Sequence, residues 1–390
     1  MDKRIFQVPA RIVFGSGAVE NVGPELKGLQ AQKALLVTDE VMQKVGIVDQ
    51  VIGNLKDNGI SHAVYDRVSS EPTLEFIDEG VGIFKDNNCD SIIAVGGGSP
   101  IDAAKAIAVM VNNSGSIDNY KGLGNLPDPG APLVCVPTTT GTGSEATQFT
   151  IITDPVKDEK MLIGSHHLMP DVAIVDPQLT LSMPRGLTAA TGIDALTHAI
   201  EAYVSVKAQP MSDLYALSAV ELISGNLRQA WANGNNLEAK AKTMLGALYG
   251  GIAFSNSSVA LVHGMSRPIG ANFHVAHGDS NAVLLDVVME FSLIGNPARY
   301  AQVAAAMGES VEGLNALEAA EVGVDAVKRL VREVKIPSLK ELGVNKKRLE
   351  ELLPKMADEA IASGSPGNNP RQATRDEIMD LYLEAYEQSS

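Results

Sequence analysis

The segment SIIAVGGGSPIDAAKAIAV, residues 91–109, constrains the fold more than any other stretch. Ile92–Val95 is an apolar run short enough for a buried strand, and Gly96, Gly97 and Gly98 follow it at once. Ser99 then suits a helix N-cap, Pro100 the first helical position, and Asp102 the third residue past the cap. A strand that turns directly into a helix needs a sheet below it and a crossover above it, which is the unit of a parallel α/β sheet. The glycines allow a ligand to approach the backbone, and the helix start offers unpaired N–H groups and a positive dipole end. The same residues also serve a plain tight turn that needs positive φ.

The first half of the chain repeats this unit. Lys33–Thr38, Ala63–Tyr65, Ser91–Val95, Leu133–Val136 and Ala173–Val175 read as strands, with helical patterns at Asp49–Asn58, Leu74–Asn87 and Ile101–Val111 between them. From Thr188 onward helical patterns dominate: Ala189–Val204, Pro210–Trp231, Leu237–Phe254, Asn281–Phe291, Pro297–Met307, Ala316–Lys335 and Arg371–Tyr386. The change falls within LTLSMPRGLT, where Pro and Gly punctuate. The expected fold is therefore a Rossmann-like α/β dinucleotide-binding domain, residues 1–183, with a parallel sheet, followed by an all-α domain, residues 184–390. Such a junction is a natural place for a ligand cleft.

Charge narrows the partners. Lys+Arg is 31 and Asp+Glu is 47, a net charge of −16, so nucleic acid and anionic membranes are repelled by default. Cys89 and Cys135 form no CxxC, and Cys135 lies in the apolar run LVCVP, where a buried inert thiol is expected. The N-terminal MDKRIFQVPARIVF lacks an uninterrupted apolar core, and no run approaches a membrane span, so a cytoplasmic protein is expected.

Two polar features flank the glycine turn. Asp39 follows the strand KALLVT, where an acid can accept both ribose hydroxyls of an adenosine and repel a 2′-phosphate, or cap a helix. Pro137–Glu145, PTTTGTGSE, follows the strand LVCV and packs hydroxyls and N–H groups densely enough to line phosphates or a nicotinamide ring. In the helical half, Asp194 and His198 stand i and i+4 on one helix face, and His263 and His277 come much later. One carboxylate and three imidazoles suit a borderline divalent cation, Fe(II) or Zn(II).

GGGSPID, PTTTGTGSE, GIDALTHAIEAY, LVHGMSRPIGA and HVAHGDSNAVLL together resemble the iron-dependent (group III) alcohol dehydrogenase family, from RIVFGSGAVENVG to the last helix. The resemblance implies a dehydroquinate synthase-like architecture with a divalent metal in the cleft between an α/β and a helical domain. It places Asp194, His198, His263 and His277 on the metal ligands. Gly97, Gly98 and Ser99 fall on the pyrophosphate turn, and Asp102, three residues past Ser99, is a further cofactor-binding candidate. Thr138, Thr139 and Thr142 fall on the nucleotide loop, and Lys160 on a lysine that approaches the cofactor. Asp39 matches the acid that similar proteins use to prefer NAD over NADP. The chain departs from the pattern twice. Arg267 stands where many members carry a second histidine, and Asp286 where they carry proline. A proton-relay role for that histidine cannot be transferred; His274 is the nearest substitute by sequence, as a substrate or outer-sphere group.

The expected activity is a metal-dependent, NAD(H)-linked oxidoreductase that interconverts a short primary alcohol or diol and its aldehyde, with Fe2+, or Zn2+ instead, polarising the substrate oxygen. A reductase of a short anionic aldehyde, its tail held by Arg267, is the first alternative. A zinc-dependent glycerol dehydrogenase-like enzyme is the second, and a nucleotide-sensing protein without turnover the third. A homo-oligomer is expected, with Arg11–Phe14 available to pair across a two-fold axis.

Overall fold

Strands that are apolar on both faces must be covered on both faces, and the first half of the chain is built on them. The computed structural model describes residues 3–69, 71–156 and 159–388. They form two compact units, one within 7–182 and one within 183–388, the second joined by residues 3–6.

The first unit holds β1 (Arg11–Phe14), β2 (Lys33–Val37), β3 (Ser61–Tyr65), β4 (Ser91–Gly96), β5 (Gly122–Leu123), β6 (Leu133–Pro137), β7 (Phe149–Asp154), β8 (Glu159–Gly164) and β9 (Val172–Val175). Six of them make one sheet in the order β1-β9-β6-β4-β2-β3. Every neighbouring pair in it is parallel. Alternate residues face opposite layers, yet both sets are buried. Leu35, Ile92 and Cys135 pack with Ile101 and Ile107 on one side, while Leu36, Ile93 and Val134 pack with Val51 and Leu55 on the other. Burial pushes the Cys135 thiol far up, so it is inert, as its apolar flanks suggest.

The small sheet β5-β8-β7 has no counterpart in the sequence reading. Its strand β7 buries only every second residue. Such a half-covered strand lacks the continuous apolar run that marks the large sheet. Strand β1 pairs along β9 of its own sheet, from Arg11 with Val172 to Phe14 with Val175, so one edge of that strand is already taken within the chain.

The described residues of the second unit form helices and no strand. Two helices of this unit escaped the sequence reading, Leu261–Phe273 and Lys346–Ala362, and each contains a proline, Pro268 and Pro354. Proline normally ends a helix because it lacks an N–H donor and crowds the preceding turn; here tertiary packing overrides that local cost. The expected helix Asn281–Phe291 is instead two, His277–Ala282 and Leu285–Ser292. The last helix begins at Arg375 rather than Arg371. Thr374 and Glu377 explain that start: the Glu377 amide donates to Thr374 Oγ1 at 3.2 Å, and the Thr374 amide donates back to Glu377 Oε2 at 2.9 Å. The N-terminal segment docks on this unit through Phe6, which stacks on Tyr215 at 5.8 Å, and Ile5, whose carbonyl accepts from Gln209 Nε2. Among the described residues no single helix is long and apolar enough to cross a membrane.

Candidate metal centre and nucleotide turn

Helix Arg185–Val204 is buried nearly all round, which its small residues permit. A Cβ at Gly250 of helix Leu237–Ser257 would lie 3.2 Å from the Ala195 carbonyl and 3.7 Å from His198 Cβ, so glycine there lets the two backbones close up beside the ligand helix. Asp194 and His198 are both buried on this helix; His263 comes from Leu261–Phe273, and His277 opens His277–Ala282. Three helices thus bring the four residues together, with one ligand atom from each within 4.8 Å of the others. Asp194 Oδ1 lies 3.7 Å from His263 Nε2, 3.9 Å from His277 Nε2 and 4.0 Å from His198 Nδ1. Bonds of about 2.0–2.2 Å around a tetrahedral ion set neighbouring ligand atoms about 3.3–3.6 Å apart. The four groups are therefore slightly wider than a loaded site and need only a small contraction.

Two residues that the sequence reading did not single out complete the centre. Glu201 lies seven residues after Asp194 and three after His198, on the same helix face, and is buried. Its carboxylate accepts from the Val262 amide at 2.6 Å and the His263 amide at 3.4 Å, and sits 2.6 Å from His263 Nδ1. That contact makes Nδ1 the donor and leaves the Nε2 lone pair facing Asp194, the tautomer a metal ligand requires. Burial raises Glu201 to about 7, against the amide bonds that pull it down. Burial, followed by the charge of His198, holds His263 well below its ordinary value, so its imidazole is neutral. His198 itself is held between Phe254, stacked at 4.3 Å, and the His263 ring at 4.4 Å.

Asn281, one helical turn after His277, is the second such residue. Its Nδ2 donates toward Asp194 Oδ1 at 2.6 Å and lies 3.1 Å from His263 Nε2 and 3.2 Å from His277 Nε2. Its Oδ1 is buried with no hydrogen-bond partner among the described residues. A carboxylate and three imidazoles converging on one point suit a positive charge there. The donor set fits a divalent cation of the iron or zinc type.

The expected glycines, threonines and Asp39 lie in the first unit, at or just after the C-terminal ends of the adjacent parallel strands β4, β6 and β2. Gly96 has φ +151°. A Cβ on Gly98 would meet Thr142 Cγ2 at 2.7 Å, and one on Gly97 would meet Thr139 Cγ2 at 3.3 Å. The glycine turn and the threonine loop are thus in contact, and the Thr138 amide donates to the Gly96 carbonyl at 2.9 Å. The Thr138 hydroxyl is buried and has no hydrogen-bond partner among the described residues. Helix Gly98–Met110 has Gly97, not Ser99, as its N-cap, so it starts two residues earlier than a Ser99 cap requires. The Gly98 and Ser99 amides then fall in the first turn, where no intrahelical acceptor exists.

Asp39 serves as the N-cap of helix Glu40–Lys44, Oδ1 accepting from the Val41 and Met42 amides. Its Oδ2 points toward the turn, 3.5 Å from the Cβ position of Gly96. Cap and turn-facing acid are the two roles the sequence left open, and the two oxygens divide them. Asp102 spends both oxygens inside the protein, accepting from Ser144 Oγ at 2.5 Å and the Ile151 amide at 2.9 Å. Below it the buried Lys105 donates to Ser144 Oγ, the Thr147 carbonyl and hydroxyl, and the Phe149 carbonyl, all at 2.8–3.0 Å. This network clamps the helix to the threonine loop. Lys160 Nζ pairs with Glu71 at 2.7 Å. His274 is exposed and takes the left-handed conformation, φ +57°, at the C-terminus of Leu261–Phe273.

The family model for iron-containing alcohol dehydrogenase matches residues 9–177, and that for the Fe-containing alcohol dehydrogenase family C-terminal region matches residues 188–386. The chain belongs to the iron-containing alcohol dehydrogenase family. It is 40% identical to the 1,3-propanediol dehydrogenase of Citrobacter freundii, covering 99% of this chain and 100% of that one. It is also 40% identical to the NAD-dependent methanol dehydrogenase of Bacillus methanolicus, covering 97% and 99%. The solved structure of a 1,3-propanediol oxidoreductase superimposes with a TM-score of 0.96 at 39% identity, covering 98% of this chain and 100% of that one. As a member of this family the chain is an oxidoreductase, and the expected fold class stands: a parallel α/β sheet region and a helical C-terminal region.

Proposed function

We propose that this alcohol dehydrogenase interconverts a short primary alcohol or diol and its aldehyde, with NAD(H) as the hydride carrier and Fe2+ at Asp194, His198, His263 and His277. Zinc is the second metal that this donor set accepts. The observation that carries the reading is the convergence of these four ligands from three helices, with the tautomer of one already fixed by Glu201. The names of the relatives support alcohols and diols as substrates and NAD as the carrier.

A cation held there supplies Lewis acidity to the substrate oxygen. The protein's part is placement. Glu201 fixes the ring of His263, Phe254 fixes that of His198, and the single carboxylate of Asp194 would leave net positive charge for an oxygen that becomes more negative as the carbonyl carbon accepts hydride. In the first unit, the Gly98 and Ser99 amides and the Thr138 hydroxyl supply donors for pyrophosphate, and Asp39 Oδ2 an acceptor for ribose. A 2′-phosphate would meet that carboxylate, so NADH is preferred over NADPH.

The test is NADH and NADPH oxidation with short neutral aldehydes, using protein stripped by chelation and reloaded with Fe2+, Zn2+ or Mn2+. Turnover is expected only after reloading and with NADH favoured. Asp194→Asn is expected to lose more than about a hundredfold in turnover, the order of a lost charged group at such a centre. Absence of turnover under every combination would remove the reading.

A further inference from the structure

Arg267 lies four residues after His263 on helix Leu261–Phe273, one turn along the same face. It is half-buried, and among the described residues it makes no ion pair and no hydrogen bond. Other half-buried arginines of this unit behave differently. Arg228 holds Glu333, Arg299 holds Asp213, Arg329 holds Glu309 and Arg371 holds Glu377. A guanidinium removed from water needs an anion, and the protein has supplied one at each of these positions except the one beside the metal ligands.

The carboxylate that acts on Arg267 most strongly is Glu201, which opposes the effect of burial on its charge. Glu201 is already committed to the Val262 amide, the His263 amide and the His263 ring. Arg267 in turn adds to the positive field at His263. A divalent cation held by a single aspartate leaves positive charge at the centre, which the buried Glu201 opposes and Arg267 reinforces. That surplus complements a substrate with an anionic end.

We propose that Arg267 forms an anion subsite, and that the preferred substrate is a short aldehyde or alcohol ending in a carboxylate, sulfonate or phosphonate. The proposal rests on the dehydrogenase reading above. Four residues of helix rise about 6 Å, so an oxygen at the ligand cluster and an anion at the guanidinium suit a spacer of two or three carbons. The guanidinium fork takes both oxygens of such a tail. The reaction is otherwise unchanged: hydride passes from NADH to the carbonyl carbon, and a solvent proton completes the hydroxyl.

The experiment compares 4-oxobutanoate with butanal, measured as kcat/KM with NADH, in wild type, Arg267→Gln and Arg267→Lys. Wild type is expected to favour the anionic aldehyde. The ratio of the two values is expected to fall at least tenfold in Arg267→Gln and by less in Arg267→Lys, which keeps charge but loses the fork. A second readout needs no turnover: butanoate is expected to raise the Tm of the metal-loaded wild type and not that of Arg267→Gln, with circular dichroism showing that both are folded. An unchanged ratio, or equal protection of both proteins by butanoate, overturns the subsite. If neither aldehyde is reduced by wild type yet butanoate still protects it through Arg267, the subsite stands and the dehydrogenase reading is what fails.

Discussion

Glu201 shows what a single residue contributes at this centre. It touches no ligand atom that faces the cluster, yet it sets which nitrogen of His263 carries the proton. Glu201→Gln retains the shape and removes the charge, so the ring is held less firmly and is less basic. Metal affinity is expected to fall about 10–100-fold, read by competition against a chelator of known strength, with the helical spectrum unchanged. Equal affinity would reduce Glu201 to a buried packing group. The sequence held a hint: Glu201 extends the spacing of Asp194 and His198 by one more turn on the same face. Spacing alone does not say that this face is buried or that the Val262 amide arrives beside it.

Among the elements, the glycine turn is the tightest. Gly98 has Thr142 Cγ2 where a side chain would begin, at 2.7 Å, and the clamp of Asp102, Ser144 and Lys105 prevents the loop from retreating. Gly98→Ala is therefore expected to push the threonine loop off the helix start and to weaken NADH binding at least tenfold, measured by fluorescence titration, while metal binding in the other unit is retained. The strand–glycine–helix pattern was legible because apolar run, turn and cap are local. Asp102 illustrates the limit: its place near the helix start reads as a first-turn residue available to the cofactor, but its partners Ser144 and Ile151 lie more than forty residues on. Pro268 illustrates another, since the helix bearing His263 and Arg267 contains a residue that local rules treat as a stop.

At the scale of the whole molecule, stability depends on buried charge outside the site. Lys240 is fully buried, and its ammonium donates to Thr188 Oγ1 at 2.8 Å. Burial lowers its pKa from 10.5 to about 8. Between those values the unfolded chain binds a proton that the folded chain has released, so stability rises with pH across that window. Below about 8 the folded chain carries an uncompensated ammonium. Lys240→Met is expected to raise Tm by about 2–4 °C at pH 7, the shift that about 1 kcal/mol produces in a domain of this size. That advantage over wild type is expected to shrink as pH rises from about 8 to about 10.5. A gap constant with pH would show that the lysine keeps its ordinary pKa.

The order of strands and helices, the apolar sheet, the glycine turn and the types of residue able to hold a divalent cation are local properties, carried by periodicity and by side-chain chemistry. Asp194 and His198 share a face by helix geometry alone. That His263 and His277 meet them was not a local property, because the stretch of chain between His198 and His263 is free to fold in many ways until helices pack. Packing also set the tautomer of His263 and the place of Asn281 among the ligands, and it left Arg267 without an ion pair among the described residues. These depend on groups distant in sequence, whose contacts exist only once the apolar faces that separate them are buried together.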